Sequence, residues 1–220
     1  MLARNNTSMT HNNFLPAAGH DFFLPLYDPI VSLMGFDRAR QELLSQASVK
    51  PDHHLLDIGA GTGTFVVQLK QLFPDAQVTA LDPDPKALSI AQNKISRAAV
   101  AVQLDRGFSY ELPYGNHSFD RVFSSFMFHH LEEPEREKTL TEAQRVLKPG
   151  GSLHLLDFTA NREPRGFLDR FIQSHATLRQ NTDENLMQNL KRAGFSDCVK
   201  VGAGQMLFGL MPIGYYQALR

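Results

Sequence analysis

The chain holds a single cysteine, Cys198, in 220 residues. One thiol excludes a disulfide framework and a cysteine-built metal centre, along with chemistry that needs several thiolates, such as arsenite methylation. Excess charge is equally absent: 22 Lys and Arg face 23 Asp and Glu, for a formal net charge of −1, and no Lys/Arg cluster occurs. No nucleic-acid partner is therefore expected, since such a partner requires a basic footprint. No apolar run is long enough to span a bilayer, so stable membrane insertion is not expected either. Residues Met1 to Asn13 are polar and lack the apolar centre of a signal peptide. They read as a disordered tail, 1–13, ahead of a single domain, 14–220, in a cytoplasmic protein that is a monomer or homodimer.

What the sequence does contain is a regular alternation of strand and helix patterns from residue 51 onward. Strands are expected at His54–Ile58, Gln77–Asp82, Ala101–Arg106, Phe119–Ser124, Ser152–Asp157, Cys198–Ala203 and Pro212–Leu219. Helices are expected near Gly63–Phe73, Pro85–Ala98, Glu135–Val146 and Asp183–Ala193. Such alternation predicts an α/β fold: a Rossmann-like, seven-stranded, mostly parallel sheet with helices on both faces. The last two strands, joined near Phe208-Gly209, should close it as an antiparallel hairpin. Residues 14–50, broken by Pro16, Pro25 and Pro29, read as short helices (Asp21–Leu26, Pro29–Met34, Asp37–Ala47), and 159–182 as one long connection without strand character.

The run Leu55-Leu56-Asp57-Ile58-Gly59-Ala60-Gly61-Thr62-Gly63 carries the main functional signal. A buried strand breaks into three alternate glycines and then a helix, which lets a ligand approach the main chain without meeting a Cβ. A dinucleotide site would place the third glycine at position 64, where Thr64 stands instead. Asp57, two residues before the first glycine, would repel a pyrophosphate but suits an amino group or a sulfonium. Asp82 ends the second strand, where a carboxylate can accept both hydroxyls of a ribose. The neighbouring Asp84, followed by Pro85, is the better helix cap.

This D-x-G-x-G-x-G pattern resembles the first motif of class I S-adenosylmethionine-dependent methyltransferases. Phe119-Asp120 through His129-His130-Leu131 resembles that family's fourth strand, and Arg145-Val146-Leu147-Lys148-Pro149-Gly150-Gly151 its turn into strand five. Leu112-Pro113-Tyr114 strengthens the likeness, which covers Leu55 to Phe158 and is nearest to the ubiquinone/menaquinone-type and other small-molecule methyltransferases. Pro149-Gly150-Gly151 by itself explains only a helix stop and tight turn.

The resemblance implies an enzyme that moves a methyl group in line from S-adenosylmethionine to a small-molecule acceptor, releasing S-adenosylhomocysteine. It assigns Asp57, Gly59, Ala60, Gly61 and Gly63 to the methionine end and its turn, and Asp82 with Pro83 to the ribose. Ser124 is a candidate near the methionine, and Phe108 and Ser109 are assigned to adenine. Many relatives carry Gly-Asp-Ala after strand three; here Gly107-Phe108-Ser109 lacks the acid, and Asp105 would substitute only after a register slip. The resemblance also makes 14–50 a helical lid and 159–182 a cap insertion, with His129 and Tyr27 as the catalytic candidates and Phe158 a pocket candidate. His129 and His130 are equally open to a turn-capping role, and no metal site is expected from them. Two other functions stay open: a non-catalytic S-adenosylmethionine-binding module, and a nucleotide-dependent oxidoreductase on the same kind of sheet.

Overall fold

The structure is a computed structural model in which residues 35–160, 181–206, 209 and 211–220 are described. Tyr27, the proposed helices before Gly35, most of the cap insertion and Phe208 lie outside those residues. The elements, in chain order, are α1 (Phe36–Ser45), β1 (His54–Ile58), α2 (Thr64–Leu72), β2 (Gln77–Asp82), α3 (Pro85–Ala98), β3 (Gln103–Arg106) and β4 (Phe119–Ser125). A 3₁₀ turn at Phe128–His130 leads to α4 (Glu133–Val146), β5 (Leu147–Phe158), α5 (Asp183–Arg192), β6 (Ser196–Met206) and β7 (Met211–Leu219).

The seven strands lie in the order β3-β2-β1-β4-β5-β7-β6. β7 runs antiparallel to both β5 and β6, and the other neighbouring pairs are parallel. The expected hairpin is present, with β6 at the sheet edge and β7 inside it. The chain winds outward from β1 to β3, then returns to β4 on the other side of β1. The carboxyl ends of β1 and β4 therefore flank the topological switch point, where an open α/β sheet leaves a crevice.

Side-chain alternation explains why both faces are covered. Leu55, Val78, Ala80, Phe123 and Leu156 face one cluster, built with α1, α2 and Ile95 of α3. Leu56, Ile58, Leu81, Val122, Leu153 and Leu155 face the other, built with α4 and α5. A parallel strand buried on both sides needs apolar residues at successive positions, as β1 has. The polar exception in β1, Asp57, shares the α1 face with Leu55.

Several boundaries differ from the sequence expectation: β6, expected at Cys198–Ala203, spans Ser196–Met206, and four others shift for local reasons. β3 begins at Gln103, where its pairing with Thr79 starts, not at Ala101. α4 begins at Glu133, because Pro134 falls in the first turn, where no amide donor is required. Its entry is tied by the Glu132 amide, which donates to Glu135 Oε2 at 3.2 Å. α1 spans Phe36–Ser45 rather than Asp37–Ala47. At Pro149-Gly150-Gly151 no separate turn precedes the strand. Phe119 pairs with Leu147 and Arg121 with Ser152, so the intervening residues bulge out of an already formed β5. Gly150 supports this with φ +77.

Candidate active site

The bend after β1 is held by its neighbour strand. Amides of Gly59 and Ala60 both donate to Leu81 O, at 2.8 and 3.1 Å. The three glycines have positive φ for different reasons. A Cβ on Gly59 would lie 2.3 Å from Met127 Cγ, and one on Gly63 would lie 2.7 Å from Ala91 Cβ, where α2 meets α3. Among the described residues a Cβ on Gly61 would meet nothing within 4 Å, so this glycine faces open space there. Gly59 and Gly63 permit packing; Gly61 lines the crevice.

Asp82 fastens the same bend from β2. Its Oδ2 accepts from the Gly61 amide at 2.8 Å and its Oδ1 from the Asp84 amide at 2.9 Å. Asp84 caps α3, accepting from the Lys86 amide at 2.8 Å, with Pro85 next in line. Asp84 thus holds the capping position expected of it from the sequence. Each Asp82 oxygen retains a lone pair after its amide bond, enough to accept two hydroxyls. Burial raises its pKa, the two amide bonds oppose that, and the Asp84 charge adds to the rise.

Asp57 is the most unusual group of the site. It is 1% exposed, and its Oδ1 is buried with no hydrogen-bond partner. Burial is the main cause that carries its pKa from 3.8 to about 7, opposed by the charge of Arg40 and reinforced by that of Asp82. A second orphan, Ser124 Oγ, lies buried near the end of β4. A buried acceptor left without a donor is costly and calls for a donor from outside the chain. A ligand with a cationic head and a vicinal diol, such as S-adenosylmethionine, fits the pair Asp57 and Asp82 across an open Gly61.

On the adenine side the placements are mixed. Gly107 follows β3 directly, its amide donating to Asp82 O at 3.2 Å, so Gly107-Phe108-Ser109 forms the turn after β3. Asp105 is committed elsewhere: its Oδ2 accepts from Tyr114 Oη at 2.9 Å and Gln103 Nε2 at 2.8 Å. The Ser109 hydroxyl is turned inward, 2.8 Å from Thr139 Oγ1, which leaves its main chain for a ligand. Phe108 stacks on Tyr110, with centroids 5.1 Å apart. Pro83 O accepts from Arg106 Nε at 3.2 Å.

His129 is brought to the carboxyl end of β5. Its Nδ1 lies 2.6 Å from Asp157 Oδ1 and its amide donates to Asp157 Oδ2 at 2.9 Å. The Phe158 amide completes the set, donating to Asp157 Oδ1 at 2.7 Å. Beside His129 stands an aromatic wall. The Phe158 ring is 5.1 Å from His129 and 5.0 Å from Phe126, and Phe36 of α1 is 4.6 Å from Phe126. Phe126 holds φ +55, a conformation that an amide bond to Leu156 O at 2.8 Å secures. His130 is exposed, and no group of three or more His, Cys, Asp or Glu that could hold a metal occurs among the described residues.

Sequence reasoning missed Asp157, Arg40 and Phe126. Asp157 had a signal, since it is the one carboxylate in the apolar run Leu153–Phe158 and sits at the strand's carboxyl end. Arg40 had none. Its role beside Asp57 and its bond from Nε to Ser125 Oγ at 3.4 Å depend on how α1 lies over the sheet.

Residues 55–151 match the family described as a methyltransferase domain. The demethylmenaquinone methyltransferase of Deinococcus radiodurans is 33% identical over 137 residues, 61% of this chain and 56% of that protein. That of Lactiplantibacillus plantarum is 34% identical over 150 residues, 66% and 62% of the two chains. The alignments thus span about six-tenths of the length of these relatives. Phosphoethanolamine N-methyltransferase 2 of Haemonchus contortus, solved with S-adenosyl-L-methionine, superposes with a TM-score of 0.77 at 18% identity, covering 93% of this chain and 58% of that one. An S-adenosylmethionine-dependent methyltransferase from Aquifex aeolicus gives 0.68 at 22% identity, covering 89% and 96%. These two likenesses establish the fold.

Proposed function

We propose that this chain, whose residues 55–151 match a methyltransferase domain family, is a class I methyltransferase that transfers a methyl group from S-adenosylmethionine to a small-molecule acceptor. When bound, S-adenosylmethionine supplies an electrophilic methyl on a positively charged sulfur. The chain's own task is alignment and exclusion of water, which accounts for much of the rate in a displacement of this type. Asp57 gives its unpartnered Oδ1 to the cationic amino-acid end, with Ser124 Oγ nearby. Asp82 accepts the ribose hydroxyls with Pro83 beside it, and Gly59, Ala60, Gly61 and Gly63 shape the bend. Phe108 and the main chain of Ser109 take the adenine.

The acceptor lies against Phe126, Phe158 and His129 at the ends of β4 and β5. The matched relatives are named for demethylmenaquinone, a planar aromatic ring, and an aromatic wall favours such a ring. No described helix is long and apolar enough to cross a membrane. The observation that carries the reading is the pair of buried carboxylates on either side of the glycine bend, one with an orphan oxygen. Calorimetry with S-adenosylmethionine, followed by transfer of labelled methyl to reduced 1,4-naphthoquinone, tests it. Binding and transfer are expected; no detectable cofactor binding sinks the reading.

A further inference from the structure

Asp157 is an aspartate with no exposed surface, sunk at the end of a strand. It accepts three hydrogen bonds, two of them from His129 and one from the Phe158 amide. A carboxylate only accepts, so Nδ1 of His129 is the donor in the 2.6 Å contact. The proton of a neutral imidazole then sits on Nδ1, and Nε2 carries a lone pair. No described residue bonds Nε2, and 11% of the side chain stays open to solvent. The amide bond from His129 to the same carboxylate fixes the backbone as well, so ring and main chain are held by one group.

We propose that Asp157 and His129 form a proton-accepting dyad for an acceptor whose hydroxyl must be deprotonated before it is methylated. This rests on the methyltransferase reading above. The acceptor's O–H bond breaks and its proton passes to His129 Nε2, giving an imidazolium next to the Asp157 carboxylate. The freed electron pair forms the bond to the methyl carbon, while the C–S bond breaks and leaves its pair on sulfur as a neutral thioether. If the new bond forms at a ring carbon, that carbon's hydrogen leaves as a proton and the hydroxyl is restored. Either way one proton is released per methyl transferred.

His129 is the catalytic residue of this scheme, and Asp157 acts through it as a positioning residue. Among the described residues, His129 is faced by Asp157 from β5 and by His130 from its own turn. Asp157 in turn feels Arg136 of α4, which is paired in charge with Glu133, and Tyr216 of β7. A dyad that merely ties the 3₁₀ turn to β5 would not link the rate to imidazole protonation.

The test uses the full chain with reduced 1,4-naphthoquinone as acceptor. Cofactor binding is measured first, by calorimetry, on wild type, His129→Gln and Asp157→Asn. All three should bind S-adenosylmethionine alike. Methyl transfer should fall roughly 10²-fold or more in His129→Gln. In wild type the rate should drop on acidification as the imidazole protonates. In Asp157→Asn the plateau should fall, because the ring loses the acceptor that fixes its tautomer. Nitrogen-15 NMR of the wild-type histidines, with His129→Gln for assignment, should show His129 protonated at Nδ1 at pH 8. That measurement stands even if Asp157→Asn does not fold. An Nε2–H tautomer in wild type, a wild-type plateau in Asp157→Asn, or bound cofactor with no transfer to this hydroxylated ring overturns the dyad. Failure of wild type to bind the cofactor overturns instead the reading beneath it.

Discussion

Replacing Asp57 by Asn removes a buried negative charge while keeping the side chain's shape, and it should move stability and ligand binding in opposite directions. Burial carries the Asp57 carboxyl from 3.8 to about 7. Below pH 3.8 both folded and unfolded chains hold the proton and the group is silent. As pH rises the unfolded chain ionises first, so stability is lost between about pH 4 and 7. Above pH 7 the full penalty stands, roughly 4 kcal/mol at about 1.4 kcal/mol per pH unit. An Asn still needs hydrogen-bond partners, so the ligand-free variant should gain less than this, about 1–3 kcal/mol at pH 8, and close to nothing at pH 4. Its affinity for S-adenosylmethionine should fall about 10- to 100-fold, since a hydrogen bond to a charged group is worth about 1.5–3 kcal/mol. Wild-type affinity should rise from pH 6 to 7.5 with release of a proton from Asp57, whereas the variant should show no such rise. Urea unfolding at the two pH values and calorimetry over the pH series measure all of this. A variant that binds as tightly as wild type, or that is no more stable at pH 8, refutes the assignment of Asp57 as a strained, cation-seeking acid.

Three further outcomes are expected. Asp82→Ala frees the Gly61 and Asp84 amides and removes the ribose acceptor, so affinity for S-adenosylmethionine should drop by at least ~1.5 kcal/mol in calorimetry. The two glycine substitutions should separate packing from access. Gly63→Ala, which meets Ala91 at 2.7 Å, should cost roughly 3 kcal/mol or more in denaturant unfolding, whereas Gly61→Ala should cost only about 1–2 kcal/mol and act mainly on ligand binding. His154 is buried and neutral, its pKa lowered to about 3, chiefly by burial and then by the Arg121 charge. It withdraws stability as pH falls from 6.5 towards 3, while Asp57 returns stability as pH falls from 7 towards 4, so the two nearly cancel. In Asp57→Asn the acid slope of His154 should emerge, at about 1.4 kcal/mol per pH unit between pH 6 and 4 in unfolding experiments, and should vanish again when His154→Gln is added.

Much of this protein is decided locally and is therefore readable along the chain. The strand at Leu55–Ile58, the glycine bend, the Asp84-Pro85 helix start and the strand ending at Asp82 each depend on a few adjacent residues and their backbone preferences. The sheet order is narrowed, not set, by the short connections that alternating strands and helices permit. Boundaries went astray where pairing rather than propensity decides them: Gln103 because its partner is Thr79, and Leu147 because Phe119 extends the ladder past a Pro-Gly-Gly bulge.

The site divides along the same line. Asp57 and the glycines were legible because one short motif holds them, and Asp82 and His129 because each lies at or just after a strand end. Their chemical states were not. That Asp57 lacks a donor, that Ser109 turns towards Thr139, that Asp105 answers Tyr114, and that Asp157 grips His129 from 28 residues away are consequences of packing. Sequence by itself determined the order of elements and the residue types at the crevice, because backbone propensity and side-chain alternation act over a few positions. Only the tertiary structure decided which of those groups are desolvated, which are already bonded and which remain open to a ligand, because burial and hydrogen bonding depend on distances the linear chain does not contain.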